Sequence, residues 1–377
     1  MNKIWISIGI LLLLIGLALV VPCLKAGGTK ASGGYQVLAP IRNGNLTIFP
    51  VVADTSHDTA QFLTLDEGLR SGEVVVTEAG NAGPLIRPRP GHPTWDEHRP
   101  DQPTWSEHPR GGAQVNQLVL INNSKRPLLL LAGEIVTGGK QDRIIGKDRL
   151  VPAESDPVDL SVFCVEPGRW VARSEKFAAP MAMVQPSVRA KAMADKDQSK
   201  VWNQVGQART SMSQAVEVTG GAAESVAIEG NSSYAAAVEN RAVTKQLDTV
   251  AAPVQQQYQS AIRELRDKHA VGVVVAVNGQ LIWADVFAST SLLEKYWPKL
   301  VRSYAAETFS QQGKSAAVDT HSAQEFLDHL DGRREIVEKE PGLYQHAEIT
   351  GDGYKVFALT SLLPSTGFDL HVAKMAE

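Results

Sequence analysis

Between Glu134 and Trp170 the chain concentrates side chains able to handle charge and protons. Gly138-Gly139 is followed directly by Lys140, Gln141, Asp142 and Arg143. A glycine pair allows a tight turn whose backbone N–H groups can approach an anion, and an arginine can grip two oxygens at once. Gly138, Gly139, Lys140, Gln141 and Arg143 therefore form a candidate phosphate-binding turn. The same residues would equally make an ion-paired β-turn in which Arg143 meets Asp142 or Glu134.

A second group follows at Cys164, Glu166, Arg169 and Trp170. Strand alternation over Leu160–Glu166 puts Leu160, Val162, Cys164 and Glu166 on one face, which makes the thiol and the carboxylate neighbours. Glu166 is a candidate general base or acceptor for a ribose hydroxyl, with Arg169 for a phosphate and Trp170 for stacking on a ring. Cys164 is a candidate nucleophile beside that base. Against this stand the ordinary burial of cysteine in cores and the lack of a histidine close in sequence. The plainer alternative pairs Glu166 with Arg169 and sinks Trp170 into the core. Glu134 closes an apolar run, and with Glu166 it could supply the two carboxylates that hydrolyse a glycosidic or phosphate bond.

Metal chemistry has one candidate, the repeat Pro93-Thr-Trp-Asp-Glu-His98 and Pro103-Thr-Trp-Ser-Glu-His108. His92, His98 and His108 are suitable ligand types, but their spacing matches no metal motif, and the proline density points to a solvated loop insertion. No metal ligand and no cofactor is assigned.

These residues must be positioned by short strands. Tyr35–Leu38, Leu46–Phe49, Glu73–Thr77, Gln117–Ile121, Pro127–Ala132, Arg143–Ile145 and Leu160–Val165 are apolar runs bounded by Gly, Asn, Asp or Pro. Thr64–Arg70 reads as a short capped helix ending at Gly72. Pro186–Ala215 and Ala251–Lys268 have helical spacing, and Gly220–Tyr234 reads as a low-complexity linker or hairpin tip. Gly272–Val277 and Leu281–Phe287, joined by Asn278-Gly279, make the clearest hairpin. A helix follows from about Ser291, then three closing strands within Leu343–Thr350, Lys355–Ser361 and Phe368–Lys374. The expected fold class is α+β, an antiparallel β-rich core of sandwich or barrel type with helices packed in the C-terminal half.

The 377 residues are 43% hydrophobic, enough to bury a sizeable core. Lys and Arg total 37 against 41 Asp and Glu, a formal charge of -4, which argues against nucleic acid as a partner. Two cysteines exclude a disulfide framework. Ile4–Val21 carries no charge, which reads as a signal or membrane anchor over residues 1–26, with a tether at 27–34. Residues 35–377 then form a single domain, β-rich over 35–185 and mixed helical and β over 186–377. The body is expected outside the cytoplasm, anchored to the membrane through residues 4–21 or released as a secreted or periplasmic protein.

The motifs Asn122, Arg126-Pro127, Leu130–Glu134, Gly138–Arg143, Leu150–Pro152 and Cys164–Trp170, in this order, resemble a prokaryotic domain family. That family is named for its association with ADP-ribosylglycohydrolases and rhodanese/phosphatase-superfamily proteins. The hairpin followed by Tyr296-Trp-Pro-Lys-Leu300 resembles its C-terminal part, so the resemblance covers most of residues 35–377. It implies a link to NAD and ADP-ribose metabolism without a settled reaction. The functional expectation is binding or processing of an ADP-ribose-like or other phosphorylated small ligand, with binding ahead of catalysis. The alternative is a non-catalytic cell-envelope scaffold that presents a surface to a protein partner.

Overall fold

The computed structural model describes residues 34–81, 114–265, 267–310 and 317–377. The histidine-bearing repeat and the apolar N-terminal segment lie outside them.

The N-terminal half is built from short strands: β1 (Gln36–Val37), β2 (Ile41–Asn43), β3 (Leu46–Ala53), β4 (Leu63–Thr64), then helix α1 (Leu65–Ser71) and β5 (Val74–Thr77). There follow β6 (Gln117–Asn122), β7 (Leu128–Leu130), β8 (Ile135–Val136), β9 (Arg143–Ile145), β10 (Arg149–Val151) and β11 (Val158–Cys164). Thr64 and Glu67 close a reciprocal capping box on α1, and Gly72 ends it in the left-handed conformation. β4, β7 and β10 form one small sheet, while β5, β6, β11, β9 and β8 form another. Both contribute to one core, in which Leu63, Leu128 and Leu130 meet Val76, Leu118, Leu120, Ile145 and Val162.

Helices come next: α2 (Pro186–Ala190), a π-helical turn over Lys191–Asp195, α3 (Gln198–Val218), α4 (Ala222–Gly230), α5 (Tyr234–Glu239) and α6 (Arg241–Arg263). The expected linker at 220–234 is thus largely helical. Its alanine-rich stretch has high helix propensity. Arg209 donates to the Ile228 and Glu229 carbonyls, at 2.8 and 3.1 Å, and so closes the end of α4.

The hairpin β12 (His269–Val277) and β13 (Gln280–Phe287) precedes α7 (Thr290–Ser310) and α8 (Thr320–Asp328). Asn278 and Gly279 have φ of 52° and 78°, as a type I′ turn requires. Four strands close the chain, β14 (Arg333–Glu340), β15 (Tyr344–Gly351), β16 (Tyr354–Ser361) and β17 (Asp369–Ala376). The large sheet runs β1-β3-β12-β13-β17-β16-β15-β14, with β2 also beside β3, and its pairs are antiparallel. Alternation divides its side chains between two cores. Val273 and Val275 pack with α3, α6 and α7 on one face, while Val274 and Ala276 pack with Ala323 and Leu327 of α8 on the other. Lys374 donates to the carbonyls of Phe326 and His329 and thereby caps the C-terminal end of α8. The fold is α+β, as expected.

The expectation of a transmembrane helix is corrected. Among the described residues no helix is long and apolar enough to cross a membrane. The reason is visible in α7, one of the longer helices, which carries Glu294, Lys295, Lys299, Arg302 and Glu307. Residues 4–21, on which the anchor rested, are outside the described residues, and the localisation drawn from them is corrected with it.

A charged chain lies fully buried where these layers meet. Arg189 of α2 donates to both oxygens of Asp285 on β13, at 2.9 and 3.1 Å, and to the Ala132 carbonyl at 3.2 Å. His371 of β17 bridges Asp285 at 3.0 Å and Asp148 at 2.5 Å. Tyr304 of α7 donates its hydroxyl to Asp285. Burial pushes His371 down, but the charges and hydrogen bonds of Asp148 and Asp285 outweigh it and raise the imidazole from 6.5 to about 9.

Two outcomes follow. Arg189→Ala leaves Asp285 short of its main counter-charge and is expected to cost about 3–5 kcal/mol in chemical denaturation. Because folding raises the His371 pKa, its stabilisation is complete below about 6.5 and disappears as pH rises through about 9. The stability difference between wild type and His371→Asn should therefore shrink across that window. A difference independent of pH would contradict the protonated bridge.

Candidate functional site

The candidate turn connects β8 to β9, and its geometry demands glycine. Gly138 and Gly139 have φ of 133° and 45°. A Cβ on Gly138 would lie 2.6 Å from Ser174 Oγ, and one on Gly139 would lie 2.3 Å from the Phe177 ring and 2.6 Å from Glu78 Oε1. Three successive N–H groups point to side-chain oxygens. Gly138 donates to Asp142 Oδ1 at 3.2 Å, Gly139 to Ser174 Oγ at 3.3 Å and Lys140 to Glu78 Oε1 at 2.8 Å. The acceptors that face the turn's amides belong to the protein itself, two of them carboxylates.

Both cations of the turn lie near the Trp170 ring, but one of them is fully buried. Arg143 is fully buried and donates to the carbonyls of Val115, at 2.7 Å, and Gln114, at 3.4 Å. The Lys140 ammonium lies 5.1 Å from the centre of the Trp170 ring, with the Arg143 guanidinium at 6.0 Å. Trp170 is 43% exposed, so it is not the core plug of the plainer reading. Gln141 is buried, donating to the Glu166 carbonyl at 3.1 Å, while its Oε1 has no partner among the described residues.

Glu166 emerges from the end of β11 and meets Arg169 in a two-pronged contact, at 2.7 Å to Oε1 and 2.5 Å to Oε2. Oε2 also accepts the Asp142 amide at 2.9 Å, and Oε1 faces Arg173 at 3.1 Å. Asp142 accepts the Ser233 hydroxyl at 2.7 Å and lies 3.5 Å from Arg169. The two carboxyls respond in opposite ways. Burial first, and then the neighbouring Glu166 charge, raise Asp142 despite hydrogen bonds from Ser233 and Gly138. Burial also opposes ionisation of Glu166, but Arg169, the Asp142 amide and Arg173 prevail and hold it low.

Asp142, Gly138 and Ser174 line a cavity of about 290 Å³ together with Arg173, Ala236 and Glu239. Burial and then Asp142 raise the Glu239 carboxyl. Arg173 is 51% exposed, whereas Arg169 spends its donors on Glu166, Asp142 and the carbonyls of Gly138, Gly139 and Val171.

Cys164 and Glu134 are placed elsewhere. Cys164 is fully buried, opposite Arg143 in the strand register, and burial raises its thiol despite the hydrogen bond that its sulfur accepts from the Glu166 amide. Glu134 does not join Glu166. Its Oε2 accepts the Leu131 amide at 2.6 Å, and its Oε1 lies 2.5 Å from Lys299, which also holds Asp66 at 2.5 Å. The sequence reading missed Arg173, Ser233 and Glu239 as site residues. Ser233 had a signal, since a serine before the run Tyr-Ala-Ala-Ala-Val-Glu is a helix N-cap. Among the described residues no cluster of His, Cys, Asp and Glu is arranged to hold a metal.

Gly139→Ala would force a side chain into Phe177 and Glu78 at a left-handed φ. Expected is a loss of about 2 kcal/mol in denaturant titrations, with an unchanged stability contradicting the tight turn.

No curated protein and no solved structure matches the chain. A family model does, over residues 34–373, which takes in both small sheets, the helices and nearly all of the large sheet. The chain belongs to the family described as ARG and Rhodanese-Phosphatase-superfamily-associated Protein domain.

Proposed function

We propose that the chain binds a small phosphorylated ligand bearing ribose-like hydroxyls in the cavity between the Gly138 turn and α5. The observation that carries the reading is a cavity lined by the carboxyls of Asp142 and Glu239 beside the half-exposed guanidinium of Arg173. Asp142 and Glu239 offer carboxyl oxygens that accept from sugar hydroxyls, and the upward shift of both makes a donating form easier to reach. Arg173 supplies the anion contact, since its guanidinium is already oriented by Glu166 and open to solvent. A cavity of about 290 Å³ is at the small end for ligand sites. It therefore suits a sugar phosphate rather than a whole dinucleotide, and Lys140 over Trp170 offers a neighbouring surface for the remainder. Binding is favoured over turnover, because both oxygens of Glu166 are occupied by protein donors and none is left for a substrate proton. A family description that joins ARG with the phosphatase superfamily supports a ligand of this kind.

The test is thermal denaturation with ADP-ribose, ribose 5-phosphate or inorganic phosphate. A ligand at about a hundred times its dissociation constant adds roughly 2.7 kcal/mol of stability. Expected is a rise in Tm with the two ribose phosphates that Arg173→Ala and Glu239→Ala each remove. No rise with folded wild-type protein would turn the reading to the alternative, a scaffold for a protein partner.

A further inference from the structure

A second cavity, of about 740 Å³, opens between α8 and the ends of β13, β16 and β17, and it shares no lining residue with the one beside the Gly138 turn. Its volume falls within the range of small-molecule sites. Lys374 of β17 forms part of its wall. The residue is 3% exposed, and its ammonium faces two rings, 3.9 Å from the centre of Tyr354 and 4.7 Å from that of Phe326. Two of its three donors go to the carbonyls of Phe326 and His329, which leaves one N–H for another acceptor.

What this ammonium lacks is a counter-ion. Two other buried cations, Arg189 and Lys299, are held by Asp285 and by Asp66 with Glu134. Lys374 has no ion-pair partner among the described residues, and carbonyls and rings compensate a buried charge only in part. Burial accordingly pushes it down to about 8, with the Asp328 charge acting the other way from beyond ion-pair distance. Asp328 lines the same cavity, as do Glu325 and Asp352. A simple anion that reached Lys374 would face these carboxylates, and a simple cation drawn to them would face Lys374. A molecule carrying both charges escapes either repulsion.

We propose that this cavity binds a free α-amino acid, its carboxylate accepting from Lys374 and its ammonium donating to Asp328. The two charged groups of an α-amino acid sit on one carbon, so the ligand fits head to tail between a cation and an anion that do not touch each other. Leu281, Ala376 and the rings of Phe326 and Tyr354 supply apolar wall for the ligand's side chain. A residue inside a peptide carries neither backbone charge, so the pairing selects the free molecule.

The experiment is isothermal titration calorimetry of the full chain with norleucine and phenylalanine. Each is compared with analogues that keep its skeleton and one of its charges: hexanoate and pentylamine for the first, phenylpropionate and phenethylamine for the second. Expected is saturable binding of at least one amino acid, with its two analogues weaker by about tenfold or more, since each loses a charged hydrogen bond. Asp328→Asn still accepts from Gln324 and should lose affinity to a similar extent at an unchanged Tm. Lys374→Met should abolish binding, but it also removes the cap of α8, so Asp328→Asn is the deciding variant. Absence of saturable binding of both amino acids by folded wild-type protein overturns the proposal. So does an analogue that binds as tightly as its amino acid, which would make the cavity a site for one charge alone, or an unchanged affinity in folded Asp328→Asn.

Discussion

The buried chain Arg189–Asp285–His371–Asp148 is the constraint on which the other arrangements depend. Two cations and two anions sum to neutrality without water, and each is the other's solvent. The members come from α2, β13, β17 and the loop before β10, so the network joins the large sheet to both the helices and the small sheets. It also fixes the backbone at Ala132, whose carbonyl accepts from Arg189 and whose amide donates to Asp148. Gly133 follows, and a Cβ there would stand 2.5 Å from Arg189 Cγ. The next residue is Glu134, and β8 then leads into the Gly138 turn. The segment that leads to Glu134 and on to the Gly138 turn thus starts from a backbone position held by this network.

The neighbouring carboxyls of Glu166 and Asp142 handle buried negative charge differently. At Glu166 a guanidinium matches both oxygens, and ionisation is secured. At Asp142 a hydroxyl and an amide do part of the same work, and Arg169 is more distant, so the proton is retained more readily. Burial is the first cause of the rise at Asp142 and the Glu166 charge the second, while Arg169 gives its closer donors to Glu166.

What could be read from the residues is what local physics decides. The capping box at Thr64, the Asn278-Gly279 turn and the pairing of Glu166 with Arg169 are written within a few positions of sequence. The position of β14 was not legible, because Arg333–Glu340 has charges where a central strand would be apolar, and only its place at the sheet edge permits this. Nor could Glu134 be assigned to Lys299, 165 positions away, or Asp142 to Ser233, 91 away. The glycine turn was found for a sound reason, its backbone geometry, but the oxygens around it come from Glu78 and Ser174, which no spacing rule connects.

The pairing of β3 with β12 has a consequence for synthesis. All eight residues of β3 are buried, and one of its edges is completed by a strand beginning more than two hundred positions later, as the Asp54–Lys268 contact across 214 positions marks. At roughly 5–20 residues per second, that partner leaves the ribosome on the order of 10–40 s after β3 does. During this interval Leu-Thr-Ile-Phe-Pro-Val-Val-Ala has only the small strands β1 and β2 beside it. A nascent chain of this architecture carries an adhesive apolar segment for most of its own translation, an aggregation hazard that the topology itself imposes.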